Sequence, residues 1–334
     1  MIDIFLTWVD GTDENWLKEK QQYKFESTIQ EKSNGIERYR SWDNLHYVFR
    51  GIENCMPWVD KIFFVTCGQV PPFLNTQHPK LRLINHKDYI PEKYLPTFNS
   101  NTIEMNLFRI EELSENFILF NDDTFPIRYI KEDYYFKNNK VCDEAIERII
   151  GCTSWITMAH SMINNARIIN KHFNKKKVKK ENFWKWFSPR YGGGNIMRNW
   201  FMNYFRDFEG LRNPHEPFAM KKSIFKKIWD LEPELLDVGS QNKFRNSTDI
   251  TQYLVRYWQV FEGDFYPRLH QGHDWDVNDN NYIEIASSIK EKKYPIININ
   301  DQKSGETLHA FEEAKAEINT AFAKIFPEKS SFEL

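Results

Sequence analysis

The chain has 334 residues, which suffices for one large domain or two modest ones with a substantial core. Its 45 lysines and arginines nearly balance 47 aspartates and glutamates, so the formal net charge of −2 argues against a general nucleic-acid binder, which would be globally basic. Hydrophobic residues at 41% and charged residues at 28% exclude a disordered chain, and the 16% of aromatic residues indicates a large core, a surface for stacking sugars, or both.

The predicted elements alternate between strands and helices over the first part of the chain. A β-prone run over 2–9 ends at the turn Asp10-Gly11, and Thr12 or Asp13 is suited to cap the helix that follows it. A second helix is expected over about 43–55, where apolar residues recur at helical spacing. Short buried-strand patterns then follow at residues 61–67, 81–85 and 117–120.

Three further helices are predicted from capping and periodicity. Ser100 or Asn101 is expected to cap a helix in which Glu104 lies where a capping partner reaches back to the helix start. Asp249 is expected to cap a helix that runs to about Tyr257. An amphipathic helix over about 308–326 closes the chain.

This order of elements predicts an α/β fold with a mostly parallel sheet, helices on both faces and a helical insertion. The expected division is an α/β part over 1–157, the insertion over 158–210, and the remainder of a single unit over 211–334. The insertion combines a basic run, Lys171–Lys180, with many aromatic residues and a Gly192–Gly194 hinge. A solvated charged face beside an aromatic core patch is its ordinary interpretation; a surface for an anionic, lipid-linked saccharide or for a membrane is the alternative.

Targeting signals and paired-cysteine motifs are not visible in the sequence. No stretch approaches about 18 consecutive apolar residues, and no basic segment followed by an apolar one opens the chain. Cys55, Cys67, Cys142 and Cys152 form no C-x-x-C pair, which favours reduced thiols over a disulfide or zinc framework. We therefore expect a cytoplasmic protein, with peripheral contact at the inner face of the cell membrane as a further option.

Acidic residues follow two of the predicted strands. Asp10 comes after the first strand, and Asp122 and Asp123 come directly after the strand at 117–120. Ligands of parallel α/β sheets bind beyond the carboxyl ends of the strands, so these carboxylates are expected to meet at one edge. Adjacent carboxylates suit Mg²⁺ or Mn²⁺, which take oxygen ligands, although a solvated Asn/Asp turn is equally common.

Three segments of the second half carry further candidates. His215 is held between two prolines, which stiffen its backbone for work as a base or as a donor to a phosphoryl oxygen. Arg245 is suited to clamp a phosphate with two hydrogen bonds. The segment with His270, His273, Asp274 and Asp276 is interpreted as an exposed polar loop, with a metal site as the alternative. The sequence contains neither a P-loop motif nor a G-x-S-x-G motif, which disfavours P-loop ATPase and serine-hydrolase chemistry.

Several blocks of the sequence together resemble the Stealth family of bacterial capsular and cell-wall polysaccharide phosphotransferases, which are related to the N-acetylglucosamine-1-phosphotransferase of animals. The blocks occur in the order that the family shows and span nearly the whole chain. They are the opening from Ile4 to Asp13, the segment from Arg40 to Arg50, Pro57-Trp58-Val59, the segment from Val65 to Pro71, Leu95-Pro96-Thr97-Phe98-Asn99-Ser100, Ile103-Glu104, Asn121-Asp122-Asp123, His215-Glu216-Pro217 through Phe244-Arg245 and Asp249, Ile299-Asn300-Asp301, and the ending from Phe326 to Glu333.

The resemblance implies transfer of a hexose-1-phosphate from a nucleotide diphosphate sugar, expected to be a UDP-sugar, to a hydroxyl of a glycan acceptor, with Mg²⁺ or Mn²⁺ as cofactor. Residues 1–157 would then form the part that binds the nucleotide sugar, and the acceptor could be lipid-linked. The implied catalytic residues are Asp122, Asp123, His215, Arg245 and Asp249, with Asp122 and Asp123 as metal ligands. The implied substrate-binding residues are Asp10, Gly11, Asn44, Arg50, Asn99, Ser100 and Asp301.

Three points stay open at the level of sequence. The proton of the acceptor hydroxyl would pass to His215, Asp122 or Asp123, and the sequence does not choose among them. A metal-dependent glycosyltransferase that releases UDP would use the same sheet, metal motif and donor. A non-enzymatic saccharide-binding protein would use the aromatic region without turnover.

Overall fold

The structure is a computed structural model that describes residues 1–23, 41–151, 157–278, 280–301 and 308–334; Cys152 and Arg40, singled out above, lie outside these ranges. The strands are β1 (Asp3–Thr7), β2 (Ile62–Thr66), β3 (Leu81–Asn85), β4 (Asn116–Phe120), β5 (Thr124–Pro126), β6 (Phe136–Lys137), β7 (Lys140–Asp143), β8 (Phe218–Lys221), β9 (Phe265–Pro267), β10 (His273–Asp276) and β11 (Ile296–Asn300). The α-helices are α1 (Glu14–Gln22), α2 (Leu45–Cys55), α3 (Ser100–Met105), α4 (Thr157–His172), α5 (Lys175–Glu181), α6 (Phe183–Trp186), α7 (Gly193–Phe201), α8 (Lys222–Leu231), α9 (Pro233–Ser240), α10 (Tyr253–Phe261), α11 (Tyr282–Lys290) and α12 (Leu308–Ile325).

The main sheet has the strand order β3-β2-β1-β4-β8. Strand β1 pairs in parallel with β2 and β4, β2 pairs in parallel with β3, and β8 closes the sheet antiparallel to β4. The strands β1, β2 and β4 are buried along nearly their whole length, as the near-continuous apolar runs of a sheet covered on both faces require. The predicted α/β fold with a mostly parallel sheet is confirmed.

A smaller sheet has the strand order β10-β11-β5, and its strand β5 directly follows the loop after β4. Strand β5 begins at Thr124, immediately after Asp123, and pairs antiparallel with β11. The backbone N–H of Ile299 in β11 donates to the carbonyl of Asp123 at 3.0 Å. The acidic loop is therefore held between the main sheet on one side and β11 on the other.

The segment 158–210 is mostly helical in its described part, as predicted, and it packs on the rest of the chain. Helix α4 lies against α10. Lys175 and Lys179 of α5 are buried, and both pair with the buried Glu147, at 3.0 and 2.5 Å. The basic run is thus divided, because two of its lysines belong to a buried ion cluster while Lys176, Lys177 and Lys180 are exposed.

The Gly192–Gly194 segment, predicted to be a hinge, lies at the start of α7, where Gly192 has a positive φ of 76° and the next two glycines are helical. Two local predictions are wrong. The helix expected from Asp249 begins at Tyr253. The cap of α3 is Asn99, whose side chain accepts from the N–H of Asn101, so Glu104 does not act as a capping partner.

The segment from His270 to Asp276, predicted to be an exposed polar loop, is instead partly strand β10 and partly buried. His270 is buried between two carboxylates, with Nδ1 3.1 Å from Glu216 and Nε2 3.1 Å from Asp143. Asp143 also pairs with the buried Arg256 at 2.8 Å. Isolated charges are costly inside a protein, and this network compensates each of them with opposite charges and hydrogen bonds. The contact with His270 holds the Glu216 side chain in place, and this restrains the backbone beside the candidate residue His215.

Candidate active site

The carboxyl edge of the main sheet carries Asp10 after β1 and the Asn121-Asp122-Asp123 loop after β4. The backbone N–H of Asp10 donates to Oε1 of Gln69 at 2.8 Å, which ties the loop after β1 to the loop after β2. Its carboxylate accepts from the N–H and hydroxyl of Thr12, at 2.8 and 2.6 Å, and so stabilises the turn that contains Gly11. The parallel pairing of β1 with β4 places both loops on the same edge, as the sequence suggested.

A small apolar cluster covers this edge. Trp16 of α1 packs against Phe98, with ring centroids 5.6 Å apart, and Phe98 stacks on Phe244 at 5.3 Å. The three rings are buried and separate from the main core, with Val9 and Cys67 beside them. Because these residues come from helix α1 and from four different loops, the cluster fixes the segments that carry Ser100 and Arg245 above the ends of β1 and β2.

Arg245 is half-buried, and its Nη2 donates to the Ser100 hydroxyl at 2.9 Å. Ser100 occupies the first turn of α3, directly after the buried cap Asn99. The Ser100 hydroxyl accepts from one edge of the Arg245 guanidinium and orients it. A guanidinium has five N–H donors, so further donors can bind a ligand. The two predicted residues Arg245 and Ser100 are therefore brought together by a direct hydrogen bond.

Asp249 is buried and joins the Arg245 loop to α3. Its Oδ2 accepts from the side chains of Asn99 and Asn101, at 3.0 and 2.9 Å, and from the N–H of Asn246 at 2.9 Å. Its Oδ1 accepts from the side chain of Asn242 at 2.7 Å. Four donors surround this carboxylate, so its geometry favours a positioning role for Asp249, and for Asn99, over direct contact with substrate.

We expect Asp249→Asn to lower the free energy of unfolding by about 1–3 kcal/mol, because the new amide would present a donor to groups that are themselves donors. Activity should fall in parallel, since Arg245 would lose its support. Urea denaturation and turnover measured on the same preparation check this. A variant that kept full stability and lost only turnover would instead indicate a catalytic role for Asp249.

His215 lies against the acidic loop. Its Nε2 is 3.0 Å from Nδ2 of Asn121, the residue before Asp122. Its backbone N–H donates to Asp274 at 3.0 Å, and Asp274 in turn accepts from Asn298 of β11 at 2.6 Å. His215 is therefore placed beside the Asn121-Asp122-Asp123 loop by its contacts with Asn121 and Asp274, which brings it together with the predicted acidic pair.

Glu104 is the functional candidate that reasoning from sequence missed. It is only 6% exposed, and within the described ranges its carboxylate forms no hydrogen bond. Burial raises its pKa from 4.5 to about 7, against the opposing effect of the Arg245 and His215 charges. A buried, unpaired carboxylate near two cationic groups is typical of an active site. The available signal was its place in the Ile103-Glu104 block of the family resemblance, but Glu104 was interpreted only as a capping residue.

Asp122 and Asp123 form a like-charged pair. Both are half-buried, and burial together with the Asp123 carboxylate raises the pKa of Asp122 to about 7. No group of three or more His, Cys, Asp or Glu side chains within the described ranges is arranged as a complete metal site. Two carboxylates fit a hard cation such as Mg²⁺, which takes its other ligands from substrate phosphates and water.

The remaining predicted binding residues lie in different surroundings. Arg50 donates to Glu333 through Nε and Nη2, both at 2.7 Å, and to the carbonyl of Phe326, a placement that favours a structural role at the C-terminal segment. Asn44 is buried at the start of α2, and among the described residues its side chain forms no hydrogen bond. Asp301 directly follows β11, the strand that holds the acidic loop.

Comparison with known proteins gives a consistent family assignment. The family models for Stealth protein conserved regions 1 and 2 match residues 2–28 and 38–144. A capsular polysaccharide phosphotransferase, WcwK of Streptococcus pneumoniae, is 42% identical over 99% of this chain and 98% of its own length. The exopolysaccharide phosphotransferase cps2G of Lactiplantibacillus plantarum is 33% identical over 99% of this chain and 96% of its own. The receptor polysaccharide phosphotransferase WefC of Streptococcus gordonii is 31% identical over 100% of this chain and 99% of its own. The chain therefore belongs to the Stealth family and is an enzyme of the phosphotransferase class.

Proposed function

We propose that the chain transfers a hexose-1-phosphate from a UDP-sugar to a hydroxyl of a glycan acceptor and so builds phosphodiester links in a surface polysaccharide. The observation that carries this proposal is the arrangement of Glu104, Asp122, Asp123, His215 and Arg245 around the carboxyl edge of the main sheet. Carboxylates for a cation, cations for phosphate oxygens and one buried base are what phosphoryl transfer between oxygens requires. The names of the similar proteins support the same class of reaction.

Asp122 and Asp123 are the residues that would hold Mg²⁺ or Mn²⁺. Such a cation, when bound, neutralises charge on the diphosphate and on the leaving nucleotide. Arg245 would bind the oxygens of the transferred phosphoryl group, where charge accumulates in the transition state. The hydrogen bond from Arg245 to Ser100 orients the guanidinium before substrate arrives.

The acceptor oxygen would attack the phosphorus that carries the sugar. The bond between this phosphorus and the oxygen bridging to the α-phosphate breaks, and UMP leaves with that bonding electron pair. Glu104 would take the proton of the acceptor hydroxyl, because its carboxylate has no hydrogen bond among the described residues and its pKa is about 7. His215, whose Nε2 is already engaged by Asn121, would contact the phosphate oxygens through its remaining ring nitrogen.

Identification of the released nucleotide tests this proposal. The full chain with Mg²⁺, a panel of UDP-sugars and a saccharide acceptor should release UMP in amounts equal to the phosphodiester product. Asp123→Asn should abolish both, and Asp60→Asn, which alters an aspartate before β2 and away from the site, should abolish neither. Release of UDP would identify a glycosyltransferase, in which the acceptor attacks the sugar carbon instead. Ligand binding with no turnover for any donor would favour a saccharide-binding protein.

A further inference from the structure

Helix α7 presents an apolar face to solvent. Met197, Trp200, Phe201 and Tyr204 recur at the i, i+3, i+4 and i+7 spacing that normally turns toward a protein core. Their exposed fractions are instead 60, 55, 63 and 88%. Together with Gly193 and Ile196 they line an open cleft of about 440 Å³. A soluble protein seldom leaves such a contiguous apolar surface exposed without a partner.

Helix α6 extends this surface. Trp184 is 79% exposed, and its ring lies 5.3 Å from that of Phe183, which in turn lies 6.4 Å from Trp200. We name the resulting set of six side chains the aromatic surface. It consists of Phe183, Trp184, Met197, Trp200, Phe201 and Tyr204.

The chain around the aromatic surface is strongly basic. Residues 171–206 contain ten lysines and arginines and a single glutamate, in a protein whose net charge is −2. Lys175 and Lys179 anchor α5 to the carbonyls of Met202 and Asn199, at 2.8 and 2.9 Å, so that α5 lies beside the end of α7. The exposed cations of this region are Lys171, Lys176, Lys177, Lys180, Arg190, Arg198 and Arg206.

We propose that the aromatic surface docks the enzyme on a membrane surface that contains anionic lipids. Tryptophan and tyrosine rings are favoured at the boundary between headgroups and acyl chains, because one end is apolar and the other forms hydrogen bonds. Basic side chains beside them are attracted to anionic headgroups, and each adds to binding. The buried ion cluster at Glu147 keeps α5 and α7 in fixed relation, so the aromatic and basic elements are presented together.

Docking would be peripheral. None of the helices in the described ranges has the length and apolar character to cross a bilayer. An interfacial helix instead lies in the plane of the headgroups with its apolar face inserted. This inference does not depend on the proposed reaction, since binding to lipid requires neither donor nor acceptor.

Vesicle flotation with the purified full chain tests the proposal. Binding is expected to vesicles of equal parts phosphatidylglycerol and phosphatidylcholine, to weaken as salt is raised, and to be much weaker for phosphatidylcholine alone. Phe201→Ser/Tyr204→Ser should weaken binding by about a hundredfold or more, since each buried aromatic ring contributes roughly a factor of ten or more. The matched control is Tyr129→Ser/Ile283→Ser, which removes two exposed apolar side chains elsewhere (59 and 65% exposed) and should bind normally.

The substituted residues are exposed, and among the described residues neither makes a ring contact, so thermal unfolding should be unchanged. Turnover of a soluble acceptor should also be unchanged, which separates this proposal from the catalytic one. Equal vesicle binding by the native chain and the Phe201→Ser/Tyr204→Ser variant would overturn it. So would a native dimer that this variant converts to monomer without any lipid binding, because the aromatic surface would then pair two copies of the chain.

Discussion

Glu104→Gln is expected to lower kcat by about 10²–10⁴-fold, the usual cost of losing one catalytic proton transfer. The amide is nearly isosteric with the carboxylate, but it cannot accept the acceptor's proton. In the native enzyme, activity should fall as pH drops below about 7, because protonation of Glu104 removes the base. Steady-state rates over a range of pH, measured on the native chain and the variant, check this.

The same substitution should not destabilise the protein. The pKa of Glu104 is about 7 in the folded protein and near 4.5 in the unfolded chain. Between these pH values the folded state holds a proton that the unfolded state has lost, so the free energy of unfolding decreases as pH rises from 4.5 to 7. At pH 8 the native chain buries the charged Glu104 carboxylate, which is unfavourable. Because Glu104→Gln removes this charge, the variant should unfold at the same urea concentration as the native chain or at a higher one. The matched control is Glu112→Gln, which should retain activity. Glu112 is an exposed carboxylate that lies 3.3 Å from Arg82. A Glu104→Gln variant with near-native turnover would remove Glu104 from the mechanism.

Arg245→Ala is expected to lower kcat by about 10³–10⁵-fold, the range found for arginines that stabilise phosphoryl-transfer transition states. Arg245→Lys should recover little of this loss. An ammonium group is a compact charge without the planar fork by which a guanidinium can bind Ser100 on one edge and present two parallel N–H groups to phosphate oxygens on another. Single-turnover rates at saturating donor measure the chemical step directly.

The control for this substitution is Arg82→Ala, which removes a partly exposed arginine of strand β3. It should be as active as the native chain. If Arg245→Ala raised only the KM for the donor and left kcat unchanged, Arg245 would bind ground state and transition state equally, and its assigned role would be wrong.

The strands of the main sheet and the position of the acidic loop were predictable because they depend on local patterns. Buried apolar runs of five residues identify β1, β2 and β4. The rule that ligands bind at the carboxyl ends of parallel strands then places Asp10 and Asp122 on one edge. Local sequence also made His215 and Arg245 candidates, and the family resemblance then gave them their expected catalytic roles.

The roles of other residues depend on contacts between distant segments, and no local pattern reports these. Asp249 suits a helix cap by sequence, yet it accepts from Asn99, which lies 150 positions earlier. Arg50 was expected from the family resemblance to bind substrate, yet it pairs with Glu333. Glu104 suits a capping box, yet Asn99 caps the helix, and Glu104 is buried where the charges of Arg245 and His215 act on its carboxylate.

The most direct test of the central claim follows the phosphorus atom that links the sugar to UMP. A UDP-sugar that is active in the donor panel is prepared with radioactive phosphorus at this position and incubated with the full chain, Mg²⁺ and a saccharide acceptor. If the enzyme transfers sugar-1-phosphate, the label appears in the acceptor as a phosphodiester and the released UMP is unlabelled. If the label is recovered in UDP and the acceptor gains only the sugar, the bond broken is between carbon and oxygen, and the assigned reaction is contradicted.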